Sequence, residues 1–150
     1  MTTNKKILFV CTGNTCRSPM AEALFNTMNT NDQWQAESAG LAAFDGEGPS
    51  DTAVAVMRDV YSADISGHRS RRFDCRMMDQ VDWILTMSPA QRDQLRWLCP
   101  DSEDRIMTLG DLAEEPETVI VDPYGRDYET YRSTAGELAA LIEKIIAKMT

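Results

Sequence analysis

An α/β fold, with a parallel sheet covered by helices on both faces, follows from three features of the sequence. Strand-like and helix-like segments alternate along the chain, which is the pattern of βαβ units. Lys6 to Val10 is followed through as a continuous apolar run rather than an alternating one, as expected of a strand buried on both faces. At the other end, Leu138, Leu141, Ile142, Ile145, Ile146 and Met149 form an unbroken apolar stripe, with Lys144 and Lys148 in the last turns where cations suit the helix dipole. With 150 residues and no repeat, low-complexity tract or linker-like stretch, one domain spanning 1–150 is expected.

The elements follow in order. The first strand ends at the glycine-containing stretch Cys11 to Arg17, and a helix comes next. Ser18 can cap that helix, Pro19 fits its first position, and Met20, Leu24 and Met28 share one face. A second strand is predicted around Trp34 to Ser38, then a loop from Gly40 to Ser50. Ala53, Val54, Met57, Val60 and Tyr61 share a face of the next helix, with Ser50 or Asp51 as its cap. Val81 to Met87 reads as a second central strand, and Ser88-Pro89-Ala90-Gln91 as a capping box opening a helix that stops before Pro100. Arg105 to Leu109 is a short strand, followed by an acidic loop from Asp111 to Thr118 and the apolar run Val119 to Val121 ahead of Asp122-Pro123-Tyr124. In a parallel sheet of this kind, ligands bind at the carboxyl ends of the strands.

Composition narrows the function classes. Apolar residues at 43% and charged residues at 26% are ordinary for a globular protein and unlike a disordered or membrane chain. A formal charge of -9 repels nucleic acid and anionic lipid, so neither is an expected partner, and an anionic substrate needs a local electropositive pocket. The N-terminal run Ile7 to Val10 is too short for a signal peptide or membrane span, which points to the cytoplasm. There Cys11, Cys16, Cys75 and Cys99 should be mostly reduced, and no structural disulfide framework is expected. A zinc site is not expected either, because Cys11 and Cys16 have no second pair at ligand spacing and His68 is the only histidine.

The segment Cys11-Thr12-Gly13-Asn14-Thr15-Cys16-Arg17-Ser18-Pro19 lies between the buried strand and the helix, where backbone N–H groups and the positive helix end can cradle an anion. Gly13, with Asn14 as a second candidate, can supply the positive φ that turns such a loop inward. A thiol at the loop's first position sits in the same field and is held as a nucleophilic thiolate. The planar fork of Arg17 can hold two phosphoryl oxygens. Phosphoryl transfer to a thiolate also needs an acid for the leaving group and a base for water. One carboxyl can serve both, and Asp122, on a loop at the end of an apolar run, is the candidate.

Together these residues resemble the low-molecular-weight protein tyrosine phosphatases, through essentially the whole chain. The resemblance is carried by Val10 to Ala23, by Glu37-Ser38-Ala39-Gly40, by Gly67-His68-Arg69-Ser70 and by Asp122-Pro123-Tyr124. It implies a four-stranded parallel sheet flanked by helices, Cys11 as nucleophile, Arg17 as phosphate clamp, Asp122 as general acid, and no cofactor. It also implies that Thr12, Gly13, Asn14, Thr15 and Cys16 wrap the phosphate, that Ser18 donates to the Cys11 thiolate, and that Asn14 braces the loop in a network with His68. For His68 the other reading is an exposed loop histidine beside Arg69 and Arg71. Cys16 has two readings as well, a reversible disulfide partner of Cys11 or simple packing. Phosphorylated proteins are the implied substrates, and a monomer or weak oligomer is expected.

One departure bears on specificity. Phosphotyrosine enzymes of this family usually carry a bulky aliphatic residue at the position of Thr15. A threonine offers a smaller wall and a hydroxyl, which suits a planar guanidinium better than a phenyl ring and resembles the bacterial protein arginine phosphatase branch. Phosphoarginine is therefore the favoured substrate, with phosphotyrosine the alternative because Tyr124 and Phe44 still offer aromatic walls. A thiol-dependent arsenate reductase is a third reading, weakened because Cys75 and Cys99 lie far apart in sequence. A non-catalytic phosphoprotein-binding module is the fourth, and it leaves the joint presence of Cys11, Arg17 and Asp122 without a purpose.

Overall fold

The computed structural model describes residues 5–149; residues 1–4, part of the N-terminal stretch read above, and residue 150 lie outside the described residues. Four parallel strands, β1 (Lys5–Cys11), β2 (Trp34–Gly40), β3 (Trp83–Thr86) and β4 (Ile106–Thr108), make one sheet in the order β2-β1-β3-β4. The helices are α1 (Arg17–Met28), α2 (Asp51–Tyr61), α3 (Pro89–Leu98), α4 (Leu109–Leu112) and α5 (Tyr128–Met149). The predicted four-stranded α/β architecture is the one observed.

The apolar run of β1 is explained by its central position. Ile7 and Phe9 face one layer, where Met20 and Leu24 of α1, Met57 of α2 and Leu138, Ile142 and Ile145 of α5 close over them. Leu8 and Val10 face the other, against Leu95 of α3 together with Met78 and Val81. Both faces are dry, so both sets of alternate residues are apolar. Because β1 is flanked by β2 on one side and β3 on the other, its carboxyl end opens at the point where the chain connections diverge to opposite faces.

Several local expectations are corrected. Ser18 does not cap α1; the cap position is Cys16 without a side-chain hydrogen bond, and Ser18 is turned instead toward Cys11. On α2, Ser50 is the cap as expected, accepting from Ala53 N–H, but Val56 rather than Val60 is buried, because the buried stripe is rotated from the predicted one. At α3, Ser88 accepts from Gln91 N–H, whereas Gln91 returns its Oε1 to Met87 N–H, so only half of the predicted capping box forms. The stretch read as a wholly acidic loop begins with the helical turn α4, where Thr108 and Asp111 form a reciprocal capping box.

The largest correction concerns the cysteines. Cys75 and Cys99 form a disulfide, with Cα atoms 5.9 Å apart and a sequence separation of 24. Cys75 opens a 3₁₀ turn (Cys75–Gln80) and Cys99 ends α3. Neither compartment nor spacing could reveal this, since the pair is created by packing of the 3₁₀ turn against α3.

Asp111 is also tied to α3. Its carboxylate accepts from Thr108 N–H at 3.0 Å and pairs with Arg92 at 2.9 Å. Partial burial pushes this carboxyl up, but the Thr108 amide and the Arg92 guanidinium outweigh it and hold it below its ordinary value. A carboxyl depressed in the folded state contributes stability above its unfolded pKa and loses it as pH falls through the folded value. Asp111→Asn is therefore expected to cost about 1 kcal/mol in urea denaturation at pH 7. The gap should narrow as pH falls from the ordinary carboxylate value and close only below the depressed folded value, where the folded parent carboxyl is itself protonated.

Candidate active site

The carboxyl end of β1 runs directly into the loop of residues 11–17, and the chain around it satisfies the loop from outside. The carbonyl of Cys11 accepts from Leu41 N–H and that of Thr12 from Ala42 N–H, both at 2.9 Å. The Thr15 carbonyl accepts from Ser50 N–H at 3.0 Å, and the Cys16 carbonyl from Met20 N–H at 3.1 Å in the first turn of α1. The Asn14 carbonyl meets His68 Nε2 at 2.9 Å; a carbonyl can only accept, so this nitrogen carries the proton. With the carbonyls engaged outward, the amide hydrogens face the opposite way, which is the geometry of an anion nest at a helix N-terminus.

Asn14 holds this arrangement together. It is fully buried and takes a left-handed conformation at φ 56°, while Gly13 does not have positive φ, so the predicted role falls on Asn14 alone. Its Oδ1 accepts from Arg71 N–H at 3.0 Å, its Nδ2 donates to Ser18 Oγ at 2.8 Å, and its own N–H donates to Cys11 Sγ at 3.3 Å. Ser18 Oγ lies 2.9 Å from Cys11 Sγ; as Ser18 already accepts from Asn14, its single hydroxyl hydrogen has two acceptors in reach, the sulfur at 2.9 Å and the Ala39 carbonyl at 3.4 Å. Gly40, at the end of β2, permits the close approach: a Cβ there would come within 2.7 Å of Thr12 O and 2.9 Å of Asn14 N. Gly40 therefore lies directly against the loop.

Arg17 is buried although charged. One Nη donates to the Ile120 carbonyl at 2.9 Å and the other lies 3.8 Å from Asp122 Oδ2, while Nε is the one buried side-chain donor without a partner among the described residues. An unpaired buried donor is costly, and an oxyanion in the cleft would satisfy it. Asp122 is half exposed on the loop before α5, its Oδ1 accepting from Tyr124 N–H at 3.1 Å. Cys11, Thr12, Gly13, Thr15, Cys16, Arg17, Asp122 and Tyr124 all line one cleft of about 250 Å³, so the structure brings these predicted residues together. Asn14 and Ser18 lie just beneath it, fully buried.

Cys16 packs against Tyr131, whose hydroxyl lies 3.4 Å from its sulfur; burial, then this contact, pushes that hydroxyl up to about 12, so it stays protonated. Cys11 and Cys16 are both free thiols. Cys75 and Cys99 do not line the cleft.

Sequence reading missed four contributors. Ala42, Ala43 and Glu47 line the cleft from the 41–50 loop, and Gln91 of α3 donates through Nε2 to Thr12 Oγ1 at 3.2 Å. No local motif marks them, because they reach the loop only through tertiary contacts. The rim is aromatic and open: Phe44 is 76% and Tyr124 70% exposed.

Comparison with known proteins agrees with this geometry. Residues 6–150 match the family described as low molecular weight phosphotyrosine protein phosphatase. The protein-arginine-phosphatase of Geobacillus stearothermophilus is 33% identical over 144 residues, covering 96% of this chain and 95% of that one. The low molecular weight protein-tyrosine-phosphatase Wzb of Escherichia coli K12 is 36% identical over 125 residues, covering 83% and 82%. Among solved structures, a low molecular weight protein tyrosine phosphatase from T. tengcongensis superposes with a TM-score of 0.92 at 39% identity, over 97% of this chain and 99% of that one.

Proposed function

This chain belongs to the low molecular weight phosphotyrosine protein phosphatase family, and from that premise we propose that it hydrolyses phosphoarginine on proteins through a cysteinyl-phosphate on Cys11. The Cys11 thiolate, supported by Ser18 and the Asn14 amide, attacks phosphorus while the loop amides and Arg17 hold the equatorial oxygens. The P–N bond breaks, and the departing guanidine takes a proton from Asp122. Water then attacks the phosphocysteine, the Asp122 carboxylate accepts its proton, and inorganic phosphate leaves as the thiolate is regenerated.

The observation that carries the choice of phosphoarginine is Thr15 on the wall of the cleft. Its hydroxyl can bond a planar N–H-rich group that a phenyl ring lacks. Glu47 brings a carboxylate to the same cleft, which favours a cationic guanidinium over a neutral ring. Phosphotyrosine remains the second reading because Phe44 and Tyr124 stand at the rim with exposed rings.

Turnover of phosphoarginine and phosphotyrosine peptides of the same sequence, measured side by side, tests the proposal. The parent should give the higher kcat/KM with phosphoarginine. Thr15→Ile should move the ratio toward phosphotyrosine by roughly 10- to 100-fold. An unchanged ratio would remove Thr15 as the selector.

A further inference from the structure

The phosphate loop is held from behind by two legs that meet at the Cys75–Cys99 disulfide. One leg is the extended segment before Cys75. Its Arg71 N–H donates to Asn14 Oδ1 at 3.0 Å, and the segment is laced to the end of β2 by Gly40 N–H to the Arg71 carbonyl at 2.9 Å and Phe73 N–H to the Gly40 carbonyl at 2.8 Å. The other leg is α3, a rod of about 15 Å. Gln91 in its first turn reaches Thr12 Oγ1, and Cys99 closes its last.

Besides the disulfide, the far end of the first leg is held by Phe73 and Met77, partly buried against the core, and by Arg105, which donates to the Met78 carbonyl at 3.0 Å. Of the 3₁₀ turn Cys75–Gln80 only Met78 is buried. Cys75 is exposed, while Cys99 is buried at the edge of the core under α3. The covalent link joins this segment to the end of α3, whose Leu95 shares a core cluster with Met78, and it does so four residues along the chain from the amide that Asn14 depends on. Losing that amide would leave Asn14 Oδ1 buried without a donor, and Asn14 is also what places Ser18 and its own N–H on the Cys11 sulfur.

We propose that the Cys75–Cys99 disulfide is a redox-responsive brace of the phosphate loop, so that its reduction by a dithiol weakens oxyanion binding and catalysis at Cys11. The exposed Cys75 sulfur is the point of attack. A reductant thiolate bonds to it, the S–S bond breaks, and the Cys99 sulfur leaves as a thiolate that takes up a proton. The second reductant thiol then attacks the mixed disulfide, releasing Cys75 to be protonated and the reductant as its own disulfide. Two electrons and two protons pass to the protein. The device is separate from any oxidation of Cys11 itself and acts in the opposite sense, since here the oxidised pair gives the competent loop.

The test rests on phosphatase activity but not on the choice of substrate, because it is read with p-nitrophenyl phosphate and inorganic phosphate. Protein purified in air with phosphate protecting Cys11 is compared with the same protein after full reduction by a dithiol, and with Cys75→Ser/Cys99→Ser. Thiol titration should count two free thiols in the first and four in the second. Both the reduced parent and the double variant should show an inhibition constant for phosphate raised roughly 3- to 10-fold, with a comparable fall in kcat/KM. A link that only stabilises the fold would lower Tm and leave the inhibition constant and kcat/KM unchanged, which would overturn the proposal. Four free thiols in the air-purified protein would overturn it as well.

Discussion

Cys11→Ser is expected to abolish release of phosphate, lowering kcat by a factor on the order of 10⁴ or more, as loss of a nucleophile does when the rest of a site acts as a unit with it. The reason is local. Cys11 is 2% exposed, and its sulfur receives the Asn14 N–H at 3.3 Å and lies 2.9 Å from Ser18 Oγ, which holds it at the base of the loop. A serine hydroxyl there keeps its proton and has no nearby base. Binding should survive, because the loop amides and Arg17 are untouched. Inorganic phosphate should therefore still raise the Tm of the variant. Steady-state turnover with p-nitrophenyl phosphate measures the first part, and a variant that retained more than about one part in 10³ of parental kcat would exclude Cys11 as the nucleophile.

Asp122→Asn is expected to reduce kcat on phosphopeptides by about 10²- to 10⁴-fold, the range over which positioned proton transfer contributes. The size of the loss should depend on the leaving group. A guanidine or phenol leaving group needs the proton, whereas p-nitrophenolate departs readily without one, so the variant should be impaired far less in the first step with p-nitrophenyl phosphate. The second step still lacks its base, so a burst of p-nitrophenol equivalent to enzyme should precede slow turnover. Equal losses on all substrates and no burst would point to a positioning role for Asp122 through its 3.8 Å contact with Arg17. The two variants thus separate bond formation at sulfur from proton movement at the rim.

Much of this site is legible in the sequence because its parts are contiguous. A strand dry on both faces must be apolar throughout, so Ile7 to Val10 announces a central strand. The loop that follows, the arginine at its end and the proline in the first turn of α1 are then fixed by chain connectivity to within a few ångströms of one another. Errors arose where a side chain had a choice of partners. Ser18 stands where a helix cap could be, yet its hydroxyl is more useful to a buried sulfur, and Cys16 holds the cap position instead. Likewise Gly13 was free to adopt positive φ, but Asn14 does so, because its amide is satisfied there by Arg71 and Ser18 at once.

By itself, then, the sequence determined the strand-loop-helix unit that places Cys11, Arg17 and their amides together, since that depends on periodicity and on neighbours along the chain. The tertiary structure alone decided what surrounds the unit: His68 on the Asn14 carbonyl, Gln91 on Thr12, Glu47 on the cleft wall, and the union of Cys75 with Cys99. Those contacts join residues separated by 24 to 79 positions. Helix packing and strand register bring them into reach, and neither is written in any short stretch of residues.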